Sequence, residues 1–108
     1  MDESWALAQM TRIEVVIAGE DVPLVTELLS KVGATGFTVV SNVSGLGHSG
    51  YHQGRLLFND RNALSLVTVV LPAERVRPLL DGLRSLLAHR SGVLLVSDTW
   101  VSRPEYFQ

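Results

Sequence analysis

Three histidines, His48, His52 and His89, are the side chains of this 108-residue chain best suited to a metal ion, and the first two lie four apart. That spacing puts two imidazoles on one side of a helix, but the stretch Gly45 to Asn62 around them has no helical pattern. No carboxylate cluster or cysteine completes a set, so no metal site is expected. Ser49, His52 and Asp60 carry the groups of a nucleophile, a base and an orienting acid. They share one glycine-rich loop, whereas acyl transfer needs a rigidly held base, so no catalytic residue is assigned and no enzymatic activity is expected. Gly45-Leu46-Gly47-His48-Ser49-Gly50 suits another chemistry, because closely spaced glycines let backbone N–H groups approach an anion such as phosphate. By themselves the same glycines would serve simple turns equally well.

The elements that must hold this loop follow from periodicity. Arg12 to Ala18 alternates β-branched residues at a period of two, which predicts a first strand. Glu20, Asp21 and Pro23 suit the opening of a helix, Val22, Val25, Leu28, Leu29 and Val32 form its apolar stripe, and Gly33 supplies a left-handed cap. Phe37 to Val43 reads as a second strand that runs into the long connection from Gly45 to Asn62. A connection of that length in a small domain marks a functional or disordered segment. Leu64 to Leu71 reads as a third strand. Pro72 and Glu74 open a second helix, with Val76, Leu79, Leu80, Leu83, Leu86 and Leu87 in helical spacing and Pro78 expected to kink its start. Val93 to Val96 is the fourth strand, after Gly92. Two copies of strand, helix, strand predict an α+β, ferredoxin-like βαββαβ domain: a four-stranded antiparallel sheet with two helices on one face. The third and fourth strands are apolar on both alternations, so the helix-free face is expected to be covered by another subunit.

Totals narrow the function classes. With 9 basic and 11 acidic residues the net charge is −2, which gives no electrostatic reason to bind nucleic acid or an anionic membrane. The chain has no cysteine, which excludes disulfides and thiolate chemistry. Met1 to Met10 lacks the basic start and apolar run of a signal peptide, and no stretch approaches the roughly 20 apolar residues of a membrane span. A soluble, cytoplasmic protein is expected, with residues 1–11 as an extension and 12–108 as the domain.

Gly33-Ala34-Thr35-Gly36-Phe37-Thr38-Val39-Val40, followed by Gly45-Leu46-Gly47, resembles the passage of the PII signalling family that leads from the first helix through the second strand into its T-loop. The order of elements matches from Arg12 to Asp98, including the Leu71-Pro72 boundary and the Gly92 turn. The resemblance implies a homotrimer that binds adenine nucleotide in clefts between subunits and signals through the T-loop. By position, Gly36, Phe37 and Thr38 would line the adenine side, and Gly45, Leu46, Gly47 and His48 would pass near the phosphates. Arg90, Ser91, Gly92 and Val93 would form the B-loop, and Arg103 would reach phosphate from the C-terminal side with its forked donors.

Two features depart from the nitrogen-regulatory members. Tyr51 lies in the loop but no uridylylation segment surrounds it, and the B-loop is shortened to His89-Arg90-Ser91-Gly92. AMP or ADP is therefore expected in preference to ATP, and 2-oxoglutarate sensing is not expected. The compact loop resembles that of PII-like proteins linked to inorganic-carbon uptake, including the carboxysome-associated type. This implies bicarbonate as a second ligand, held by Gly47, His48 and an arginine such as Arg55 or Arg61, and a bicarbonate transporter or carboxysome-linked protein as partner. The alternatives are a CutA-like trimeric metal-binding protein, which His48 and His52 keep open, and a nitrogen-regulatory PII protein.

Overall fold

The computed structural model of the chain describes residues 6–44, 46–47, 50–51 and 63–108. Its centre is β1 (Ala8–Ala18), whose Ile13, Val15 and Ile17 are almost wholly excluded from solvent while their neighbours are not. This period of two is the strand signature read in the sequence. β1 pairs antiparallel with β5 (Leu64–Leu71) on one side and β6 (Gly92–Val101) on the other. β2 (Phe37–Val43) adds to the outer edge of β5, giving the order β2-β5-β1-β6. The shared registers place Val69 between Phe37 and Ile13, and Val67 between Val39 and Val15.

Two helices cover the face that carries these residues. α1 (Val22–Lys31) buries Val25 and Leu29, and α2 (Val76–Leu87) buries Leu79 and Leu83. They close one core with Ile13, Val15, Ile17, Val67, Val69 and Leu71. Each such side chain taken from water contributes about 1.5–3 kcal/mol, which is what holds the helices to the sheet. α1 ends as its composition predicts: Gly33 has φ +79°, its N–H donates to the Ser30 carbonyl, and the Ala34 N–H donates to the Leu29 carbonyl. These two bonds are a Schellman cap. Pro78 is the third residue of α2, within the first turn. Its missing N–H has no intrahelical acceptor to lose there, so the expected kink has no physical cause.

Two strands are longer than expected. β1 starts at Ala8, so residues 8–11, read as an extension, pair with the stretch Asp98–Val101 of a β6 that outruns the predicted Val93–Val96. Ala-Gln-Met-Thr has no strong strand pattern alone, whereas Asp-Thr-Trp-Val carries three β-prone residues, Thr99, Trp100 and Val101, beyond the predicted end of the fourth strand. The first becomes a strand because the second supplies its ladder partner, a non-local cause invisible to periodicity. Within the long connection, Leu46–Gly47 (β3) and Gly50–Tyr51 (β4) pair as a small two-stranded ladder.

Opposite the helices, Val40, Leu66, Val16 and Val93 form one row across all four strands. Val40 and Val93 are about half exposed at its two ends, and so are Phe37 and Val96 at the two ends of the helix-facing row that runs through Val69 and Ile13. The next row on the helix-free face carries Thr38, Thr68, Glu14 and Leu95, where the Thr68 hydroxyl donates to Glu14 Oε2 at 3.3 Å.

Candidate functional site

The residues assigned from the sequence fall into two groups. The first surrounds the start of β2. Gly36 has open space where a Cβ would stand, and Phe37 and Thr38 are both exposed. The C-terminal tail crosses to this edge: the Thr35 hydroxyl donates to the Tyr106 carbonyl at 2.7 Å. Arg103 Nη1 donates to Tyr106 Oη at 3.3 Å, and the guanidinium carbon lies 5.6 Å from the ring centroid. This combined cation–π and hydrogen-bond contact ties Arg103 to the tail residue whose carbonyl Thr35 holds. Thr35 and Tyr106 belong to this group although sequence reasoning gave neither a role. The signal was non-local, a tail and a strand start 71 positions apart.

The second group stands before and at the start of β6. Arg90 Nε lies 3.6 Å from Asp21 Oδ1, and Arg90 Nη1 donates to the Leu86 carbonyl at 3.2 Å. Ser91 and Val93 are exposed. Gly92 is required by close packing, since a Cβ there would stand 2.7 Å from a Leu87 methyl and 3.1 Å from the Val16 carbonyl oxygen. Asp21, read in the sequence only as a helix-opening acid, is the member of this group that sequence reasoning missed.

The two groups do not meet within one chain. β2 and β6 are the opposite edges of the sheet, three strand spacings or about 14 Å apart. Each edge offers a partial lining, one with Phe37, Thr38 and Arg103, the other with Arg90 and the Gly92 turn. Of the remaining assignments, Leu46 and Gly47 are in the short ladder. Gly45, His48, Arg55 and Arg61, and with them most of the bicarbonate assignment, lie outside the described residues, as do Ser49, His52 and Asp60.

At the foot of the long connection, β2 carries a bulge between Ser41 and Val43 with Asn42 at φ +60°. Asparagine tolerates this left-handed conformation better than most residues, and the bulge re-aims the chain as it leaves the sheet. A cavity of about 360 Å³ beside it is lined by Gly19, Pro23, Val39, Ser41, Asn42 and Ser65, among others. None of the assigned residues lines it. Among the described residues, no group of three His, Asp or Glu side chains could hold a metal ion, and no helix is long and apolar enough to cross a membrane.

Comparison with known proteins gives this geometry its context. A structure of CPII, a nitrogen regulatory PII-like protein from Thiomonas intermedia K12 bound to ADP, AMP and bicarbonate, is 37% identical, with 94% of this chain and 95% of that one aligned at a TM-score of 0.86. A second CPII structure, bound to ADP and bicarbonate, aligns over 94% of this chain and 97% of that one at 34% identity and a TM-score of 0.84. The B. subtilis GlnK–ATP complex, at 18% identity, shares the fold, with 84% of this chain and 82% of that one aligned at a TM-score of 0.60. No curated protein matches. The profile of the nitrogen regulatory protein P-II family matches residues 10–106, which decides against the CutA-like alternative. With that match, the βαββαβ sheet and the identity to CPII, the chain belongs to the P-II family as a PII-like signalling protein.

Proposed function

We propose that this protein is a non-enzymatic, trimeric sensor that binds AMP or ADP in clefts between subunits, together with bicarbonate, and reports occupancy through the long connection after β2. The observation that carries the reading is the separation of the two residue groups on opposite sheet edges. One chain cannot bring Arg90 to Phe37 and Arg103, whereas β6 of one copy set beside β2 of the next would join them. The half-exposed Val40, Val93, Leu95 and Val96 support such contact, because apolar edges of this kind are normally covered. Homotrimers close such a head-to-tail interface without leaving a free end.

The ligands are drawn from CPII, whose structures hold ADP, AMP and bicarbonate. In the joined cleft, Phe37 and Thr38 take the adenine side and Arg90 and Arg103 the phosphate side. Leu46 and Gly47, with Gly45 and His48, bring backbone N–H groups to the phosphates. Bicarbonate is held near Gly47, His48 and Arg55 or Arg61. Regulation of inorganic-carbon uptake from the cytoplasm, through a bicarbonate transporter or a carboxysome-linked protein, is the role this ligand pair suits.

Calorimetric titration of AMP, ADP and ATP, each with and without bicarbonate, tests the reading. The expected result is tighter binding of AMP or ADP than of ATP, strengthened by bicarbonate. Coupling between two ligands is reciprocal, so bicarbonate binding must strengthen equally with nucleotide. Nucleotide affinity indifferent to bicarbonate would remove the carbon-sensing part, and absence of nucleotide binding would remove the whole assignment.

A further inference from the structure

Asp21 occupies the N-cap position of α1, yet its side chain makes no capping hydrogen bond. Its backbone is helical, because the 3-10 turn Gly19–Asp21 runs directly into α1, so the carboxylate is left free for another partner. That partner is the guanidinium of Arg90, whose Nε lies 3.6 Å from Asp21 Oδ1. A second contact, from Arg90 Nη1 to the Leu86 carbonyl, holds the same guanidinium in place. Arg90 is the guanidinium of the β6-edge group, and Asp21 offsets part of its charge.

We infer that Asp21 is a specificity-determining residue, which limits how many phosphate charges the cleft accepts. The inference rests on the nucleotide-binding reading given above. With Asp21 ionised, the pair presents nearly zero net charge to an incoming phosphate chain while keeping the donors of Arg90 oriented. A monophosphate can be met by hydrogen bonds from the fork alone. Each further phosphate brings more negative charge toward the Asp21 carboxylate, whose repulsion reaches over about 10 Å at moderate salt. Neighbouring Glu20, exposed in the same turn, adds to the negative field. The shortened B-loop therefore discriminates by subtraction: a carboxylate offsets part of its arginine's charge.

The test uses the full-length protein with AMP and ATP as probes in calorimetry. In Asp21→Asn the ratio of ATP to AMP affinity should rise about three- to tenfold, the size expected for removing one charge at this range in a partly solvated cleft. Asp21→Glu, which keeps the charge, should retain the wild-type ratio. A merely structural role for Asp21 would weaken both nucleotides alike and leave the ratio unmoved. A constant ratio in Asp21→Asn, or an equal shift in Asp21→Glu, would overturn the inference while the nucleotide-binding reading stands. Failure of the wild-type protein to bind either nucleotide would overturn both.

Discussion

Three glycines of this chain are glycine for different physical reasons, and the differences separate folding from binding. Gly33 needs its left-handed φ of +79° to cap α1. Gly33→Ala should cost about 1–2 kcal/mol in denaturant unfolding, the usual strain of a side chain in that conformation. Gly92 is held by contact with the Val16 carbonyl and Leu87. Gly36 has neither constraint: its φ is not left-handed and a Cβ would meet nothing within 4 Å. The single chain thus offers no reason for glycine there, and what approaches from outside remains as the reason. Gly36→Ala should leave unfolding free energy within about 0.5 kcal/mol of wild type, yet weaken nucleotide binding on the order of tenfold through overpacking against the ligand. Equal affinity in the variant would take Gly36 out of the site. The Gly33 cap was legible because its signal is local, and the structure bears it out. The sequence could not supply Thr35, Tyr106 or Asp21, whose roles depend on partners 71 and 69 positions away for Thr35 and Asp21.

At the scale of elements, periodicity found every strand and helix of the main sheet but misjudged where β1 and β6 end. The outer part of β1, residues 8–11, owes its shape to its ladder partner, while Thr99, Trp100 and Val101 of β6 are β-prone residues that the predicted strand stopped short of. The helices are a stronger case, since α2 repeats leucine at helical spacing and the buried positions are Leu79 and Leu83. Leu83 is almost fully enclosed between the sheet and α1. Leu83→Ala should lower stability by about 2–5 kcal/mol, the range for emptying a well-packed leucine site. Chemical denaturation monitored at the tryptophans measures it, and a loss below about 1 kcal/mol would mean that α2 is less tightly docked than its burial indicates. The helix-free face behaves differently. Its members Leu66 and Val93 were legible on strands apolar on both alternations, and in the single chain both ends of the row Val40, Leu66, Val16 and Val93 remain open. What the sequence could not show is that those ends coincide with the two edges bearing the candidate ligand residues.

For the whole molecule, this coincidence makes a prediction that no single-chain site could satisfy. If Arg90 from one copy and Arg103 from its neighbour serve the same cleft, Arg90→Gln and Arg103→Gln each damage every cleft of a uniform trimer. Both substitutions fall on exposed side chains, so folding should be unaffected. When the two variants are denatured together in equal amounts and refolded, chains mix at random within each closed ring. A cleft between an Arg103-bearing copy and an Arg90-bearing copy is then intact, and about a quarter of all clefts should meet that condition. Calorimetry on the mixed sample should recover roughly that fraction of wild-type-affinity sites, while native mass spectrometry verifies that trimers have exchanged chains. Each variant refolded alone should recover none. Were Arg90 and Arg103 instead to act on one ligand within the same copy, mixing would restore nothing however completely the chains exchanged. The two outcomes differ because β2 and β6 are the two outer edges of one sheet, and only a neighbouring copy can bring one edge to the other.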